Sequence, residues 1–205
     1  MAIDKGQFND VAAVARALRP SYPVYCVRPE VLAASAQRFI SQFPGTVLYA
    51  VKCNPHPLVL KALYQGGIRH FDTASLSEIA QISDTFSEAH TYFMHPVKAR
   101  AVIKTSHKVY GVRHFVVDHE DGLDKVLEEV GAQGTTIVVR VNTPPAGDAL
   151  YHLAAKFGAS VEEAVALMKA AAARGCSAGL AFHVGTQCRS PEADGTSLEI
   201  VGQVI

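Results

Sequence analysis

The 205-residue chain has no surplus of either charge: 19 Lys and Arg stand against 19 Asp and Glu, a formal net charge of zero. A nucleic-acid-binding face normally shows a basic excess, and no Lys/Arg-rich cluster appears locally, so nucleic acid is not an expected partner. No uninterrupted apolar run approaches the roughly 18 residues that a spanning helix needs. The start, Met1 to Gly6, also lacks the basic-then-apolar pattern of a secretory leader. The expectation is therefore no membrane partner and a cytoplasmic location. Cysteine is sparse. Cys26, Cys53, Cys176 and Cys188 are scattered without metal-type spacing, which favours free thiols over disulfides or a zinc site, and no metal is expected. None of the turns after β-prone runs spells G-x-G-x-x-G, so the phosphate turn of a Rossmann sheet is missing too.

What is present is a chain that is 49% hydrophobic, enough to bury one sizeable core in one or two domains. After a helical segment over residues 7–18, short β-prone runs alternate with longer helical ones. Strands are expected at 24–27, 46–51, 70–73, 91–94, 115–118, 136–141 and 178–183. Helices are expected at 29–42, 57–65, 75–83, 96–106, 120–130 and 160–174, and the stretch from residue 191 to the end also reads helical. Near-continuous apolar strands between amphipathic helices imply a parallel sheet and an α/β fold. Ser75-Leu76-Ser77-Glu78 has the form of a capping box, which starts a helix just after the third strand.

From residue 46 to residue 136 the strands recur at about 21 to 24 residues, the cadence of a (β/α)8 TIM barrel, although an open doubly wound sheet has a similar rhythm. The polar residues separate the two. Lys52, Asp72, His95, Asp118, Arg140 and His183 all fall at or just past the ends of their strands, where a barrel gathers its site from many loops. The pattern supplies about six βα units, so the barrel is expected to be incomplete within this chain.

Lys52 is delivered by the apolar run Thr46-Val47-Leu48-Tyr49-Ala50-Val51 into Cys53-Asn54-Pro55. A lysine at a buried strand end is costly to desolvate, and a neutral amine is a usable nucleophile for a carbonyl. A lysine that snorkels to solvent is the alternative.

Three ordered motifs bear on that choice: Tyr49-Ala50-Val51-Lys52-Cys53-Asn54, then Phe71-Asp72-Thr73-Ala74-Ser75 with Glu78, then Phe182-His183-Val184-Gly185-Thr186-Gln187. Together they resemble the ornithine/lysine/diaminopimelate/arginine decarboxylases. These are pyridoxal-phosphate (PLP) enzymes with an alanine-racemase-like barrel, and the wording here is most similar to the ornithine and lysine branch. The resemblance runs from about residue 23 to about residue 192.

It implies that Lys52 holds PLP covalently and that His183 stacks on the pyridine face. It also implies that Asp72 and Glu78 are carboxylates beside the lysine, and that Arg140 lies near the cofactor phosphate and those carboxylates. Thr186 matches a position where the family uses a small hydroxyl residue, usually serine, on the phosphate, and Gly185 allows close backbone approach. Plainer readings stand beside these: Glu78 as a helix cap, His183 as a structural histidine, Thr186 as an N-cap, Arg140 as a surface ion pair. His95-Pro96 receives no role beyond ending a strand.

The function implied is decarboxylation of a basic amino acid, ornithine or lysine, to a diamine in polyamine biosynthesis. Diaminopimelate or arginine decarboxylation, a racemase-like relative, a non-catalytic PLP-binding barrel protein and an inactive fragment are the alternatives. The same resemblance divides the chain into an N-terminal helical segment, 1–22, and a partial PLP-binding barrel domain, 23–205. The family's C-terminal β domain is expected to be absent, PLP affinity to be weak, and the full-length parent to be a homodimer.

Overall fold

The computed structural model describes residues 6–143, 156–185 and 192–205. Six parallel strands form one sheet in sequential order, β1 to β6. They are β1 (Leu48–Ala50), β2 (His70–Thr73), β3 (His90–Phe93), β4 (His114–Val117), β5 (Thr136–Arg140) and β6 (Ser177–Ala181). The helices are α1 (Val11–Leu18), α2 (Pro29–Gln42), α3 (Pro57–Gln65), α4 (Leu76–Thr85), α5 (Arg100–Lys108), α6 (Glu120–Val130), α7 (Val161–Ala173) and α8 (Glu192–Gly202). A helix follows every strand, which is the α/β barrel rhythm that the periodicity predicts.

Three expected elements differ, the first being the N-terminal helix, which starts at Val11 behind the Asp10 cap rather than at residue 7. Residues 24–27 form no strand: Val24 and Tyr25 are exposed, and no partner strand takes up their backbone. A β-prone run stays irregular where nothing completes its ladder. The helix expected from residue 96 begins at Arg100, because residues 96–99 are held as a loop by a side chain described below.

Helix starts follow local chemistry. Asp10, Ser75 and Ser160 each accept a backbone N–H within the first turn, and Pro29 and Pro57 open their helices where a missing N–H costs nothing. At α7 the capping box is complete: the Glu163 carboxylate accepts the Ser160 N–H at 2.8 Å, and Ser160 Oγ accepts the Glu163 N–H at 3.2 Å. At α4 the expected box is modified. Ser75 Oγ accepts the Glu78 N–H at 3.3 Å, but the Glu78 carboxylate reaches past Ser75 to the N–H of Ala74 at 2.7 Å.

The core lies between the helices and one face of the sheet. Phe71, Phe93, Phe115, Val117, Ile137 and Val139 are at most 2% exposed and point at the helical layer. They pack with Ile79, Ile82, Ile103, Leu123, Val126 and Ala164 in two clusters. The alternate strand residues face the other way and are half-buried, as the patterns of β2 and β5 show. That second face is polar. Near the strand starts, His70 and His90 stack with ring centroids 5.0 Å apart, and His70 Nδ1 lies 2.8 Å from the Tyr92 hydroxyl. The Tyr92 ring in turn lies 4.5 Å from that of His114. Strand pleating sends the fold's apolar energy outward and leaves the inner face for chemistry.

Candidate cofactor site

β1 gives way at Ala50 to a single 3-10 turn, Val51–Cys53, whose first residue is fully buried and whose second is Lys52. The loop beyond is fastened twice. Asn54 Oδ1 accepts the His56 N–H at 3.1 Å, and the Gln81 side-chain amide donates to the Pro55 carbonyl at 2.8 Å. Gln81 lies on α4, one turn from Glu78, so the lysine loop and the carboxylate helix are tied together.

Lys52 is exposed, contrary to the desolvation that its apolar strand predicts. The reason is topological: β1 is an edge of the sheet, its three residues are only half-buried, and no strand lies beyond it among the described residues.

Register carries the next residue in. Ala50 pairs with Asp72, so Asp72 stands beside the strand end that launches Lys52. Burial raises the Asp72 carboxyl above its ordinary range; the nearby Lys52 ammonium opposes this, Glu78 adds to it, and Arg140 opposes it again. A raised folded-state pKa means that stability is greatest when the carboxyl is protonated and is lost as pH rises through the folded value. Asp72→Asn should therefore raise the urea midpoint at pH 7 and leave it unchanged at pH 3, where the carboxyl is protonated in folded and unfolded chains alike. Paired denaturation curves at the two pH values check this.

Arg140 ends β5 and is half-buried. Burial lowers its pKa, while Asp118 and Asp72 act to raise it. Its guanidinium carbon lies 5.4 Å from the Phe157 ring centroid, and the His95 ring meets the same phenyl edge-on at 5.4 Å. Asp118, just past β4, accepts the N–H of Gly158 at 3.1 Å. Phe157 and Gly158 thus hold the segment before α7 against the ends of β3, β4 and β5.

His183 follows β6, and its Nδ1 accepts the N–H of Gly185 at 2.9 Å. That bond fixes the tautomer: Nδ1 is the acceptor, so the proton of the neutral ring sits on Nε2. Burial lowers the imidazole pKa, and Arg140 and then Lys52 push it further down. The ring is accordingly neutral at pH 7. Gly185 has φ +106°, a backbone setting that glycine adopts without strain.

The structure thus brings Asp72 within electrostatic reach of Lys52, Glu78 and Arg140, and His183 within reach of Arg140 and Lys52, with Gly185 orienting the imidazole. Thr186 lies outside the described residues, as does most of the Pro-rich segment that begins at Thr143. His95 belongs to the same cluster: burial lowers its pKa, with Lys98, Lys52 and Arg140 adding and Asp118 opposing. Sequence reasoning assigned it no role, since His-Pro after a strand looks like plain termination. The donor set suits PLP. An accessible primary amine matches the aldehyde, a guanidinium matches the phosphate anion, and a neutral imidazole of fixed orientation matches a flat ring.

The amine, carboxyls, guanidinium and imidazole lie at or just past the C-terminal ends of parallel strands, where barrel enzymes gather their sites. The chain belongs to the pyridoxal-dependent decarboxylase family, matching its pyridoxal binding domain over residues 30–204; the family's cofactor is pyridoxal phosphate. It is 38% identical over 149 residues to the lysine/ornithine decarboxylase of Selenomonas ruminantium, an alignment covering 72% of this chain and 37% of that protein. Among solved structures, it is similar to the arginine decarboxylase of Paramecium bursaria Chlorella virus bound to agmatine. There the TM-score is 0.81 at 26% identity, over 95% of this chain and 53% of that one. A mutant of SrLDC in complex with PLP gives a TM-score of 0.80 at 31% identity, over 93% of this chain and 50% of that one. The chain thus spans about a third of the curated relative's length and about half of each solved one.

Proposed function

We propose that this chain is the cofactor-holding part of a decarboxylase that acts on a basic amino acid, ornithine or lysine, and releases CO2 and a diamine for polyamine synthesis. The observation that carries this reading is the convergence of Lys52, Asp72, Arg140 and His183 from four strand ends into one electrostatic cluster.

In this reading Lys52 is the residue that would hold PLP, its accessible primary amine matching the cofactor's aldehyde. Asp72, paired in register with the strand end that launches Lys52, is the carboxyl placed to take up a proton from the amine. His183, neutral and oriented through Nδ1, is the residue that would hold the flat cofactor ring in place. Arg140 would hold the phosphate anion beside the Asp72 carboxyl, and Gly185 and, by the family's motif, Thr186 are the other residues that would hold the phosphate. When bound, PLP supplies an electron sink for the bond that breaks to CO2. Residues 23–205 form the PLP-binding unit and 1–22 a helical extension. For the whole protein we propose a cytoplasmic homodimer.

Borohydride trapping is the test. The chain is incubated with PLP, reduced and digested, and the cofactor's mass is expected on the peptide carrying Lys52. Label confined to other lysines removes the reading. CO2 release from lysine, ornithine, arginine and diaminopimelate then ranks the substrates, the agmatine-bound structural neighbour making arginine the second candidate.

A further inference from the structure

We propose that Lys98, which touches neither cofactor nor substrate in this reading, is a positioning residue: its ammonium replaces a missing rung of the sheet between β3 and β4 and so sets where His95 and Asp118 stand. The inference rests on taking the cluster around Lys52 as the functional site.

The sheet is unevenly knitted. β2 and β3 pair over four residues, β4 and β5 over four, and β5 and β6 over five. The β3–β4 ladder has a single register pair, Phe93 with Phe115. Just past that pair, the Val116 carbonyl accepts from Lys98 Nζ at 2.5 Å, in place of a rung from the neighbouring strand. The same nitrogen donates to the carbonyls of His95 at 2.8 Å and Pro96 at 3.2 Å. One side chain thus ties the exit of β3 to the exit of β4, from a position only 4% exposed and 5.5 Å from the Phe93 ring centroid.

Three carbonyls match the three N–H donors of an ammonium; a neutral amine has two donors and would turn its lone pair toward the third oxygen. The charged groups facing the nitrogen come from three elements. Asp118 beyond β4 favours the charged form, Lys125 on α6 disfavours it, and the His95 imidazole beyond β3 is itself held down by the Lys98 charge. Burial first and Lys125 second pull the amine from 10.5 to about 7, against Asp118. The clasp is therefore complete when protonated, and it loosens as pH rises through neutrality. What it holds is the lip of the site: His95 shares Phe157 with Arg140, and Asp118 carries Gly158.

NMR on the full 205-residue chain without PLP tests this, comparing wild type, Lys98→Met and Lys98→Arg. The methionine keeps the apolar stem and removes every donor. It should raise the titration midpoint of His95 and speed exchange of the Gly158 amide by about tenfold or more, the scale of losing one charge-assisted hydrogen bond. Arginine, which keeps a cationic donor, should restore the His95 midpoint. Both readouts unchanged in the methionine variant overturns the proposal. Should that variant fail to fold, the wild-type chain decides. Its Lys98 ammonium protons should be observable and slowly exchanging at pH 6, with amides 97 and 98 losing protection between pH 6 and 8 beyond what base catalysis gives. Ammonium protons that exchange as fast as those of a surface lysine overturn it. No measurement involves PLP, so a chain that never takes the cofactor fails the trapping experiment without deciding this one.

Discussion

Lys52→Ala is expected to abolish completely the long-wavelength band that the wild-type chain develops with equimolar PLP, read as a difference spectrum against free cofactor. The loss should be total because the shift to longer wavelength, unlike the absorbance of the free aldehyde, requires a bond to a primary amine, and the other amine near the cluster cannot substitute. Lys98 Nζ is buried and spends its three N–H groups on carbonyl oxygens, whereas Lys52 is accessible and lies in the fields of Asp72 and His183. A band retained by the variant, or label found on the exposed Lys156 beside Phe157, would move the attachment point elsewhere. Circular dichroism on the same sample checks the fold. An exposed lysine in a turn carries no packing, so the variant should unfold at the wild-type urea concentration to within the usual ±0.5 kcal/mol of a surface change.

Gly158→Ala should be the most damaging small substitution, lowering stability by about 3 kcal/mol or more, the combined scale of backbone strain and overpacking. Gly158 has φ +109°, and a Cβ there would stand 2.6 Å from the backbone nitrogen of Asn142, 2.8 Å from its Cα and 2.9 Å from the carbonyl carbon of Val141. None of these atoms can swing aside as a side chain could. Around that point, the Ala159 N–H donates to the Arg140 carbonyl at 2.9 Å and the Asn142 N–H to the Ala159 carbonyl at 2.8 Å. Relieving the clash therefore pulls on Arg140, and through the Gly158 N–H on Asp118. Gly175→Ala is the control: φ is +84°, with nothing within 4 Å of the added carbon. It should cost only the left-handed strain of about 1–2 kcal/mol. Urea melts with equal slopes measure both. Equal losses at the two glycines would mean that the close approach to Asn142 carries no weight.

Periodicity and punctuation were enough for the frame. Pro29 and Pro57 open their helices where the pattern places them, α6 spans 120–130 as its apolar spacing requires, and β2 spans 70–73. These features are local, written within a few residues by proline geometry, capping hydroxyls and the step from period 3.6 to period 2. The polar residues at strand ends were equally legible, because a residue's distance from the end of its own strand does not depend on what lies next to that strand.

Neighbourhood was not legible. Nothing in Thr46–Val51 says that β1 stands at an edge, and that alone leaves Lys52 in solvent. Residues 24–27 have strand chemistry and no partner, so they stay irregular. His70, His90, Tyr92 and His114 are separated by up to 44 positions, and only parallel register stacks them on one face. Lys98 in His-Pro-Val-Lys reads as an ordinary surface cation; it is buried because the β3–β4 ladder is one pair long and leaves the Val116 carbonyl to be satisfied. Pattern along the chain determines elements, since hydrogen bonds within a helix and the alternation of a strand are short-range. Exposure, protonation and partnership belong to the assembled sheet, since they depend on which strand lies beside which and on what desolvates the space between them.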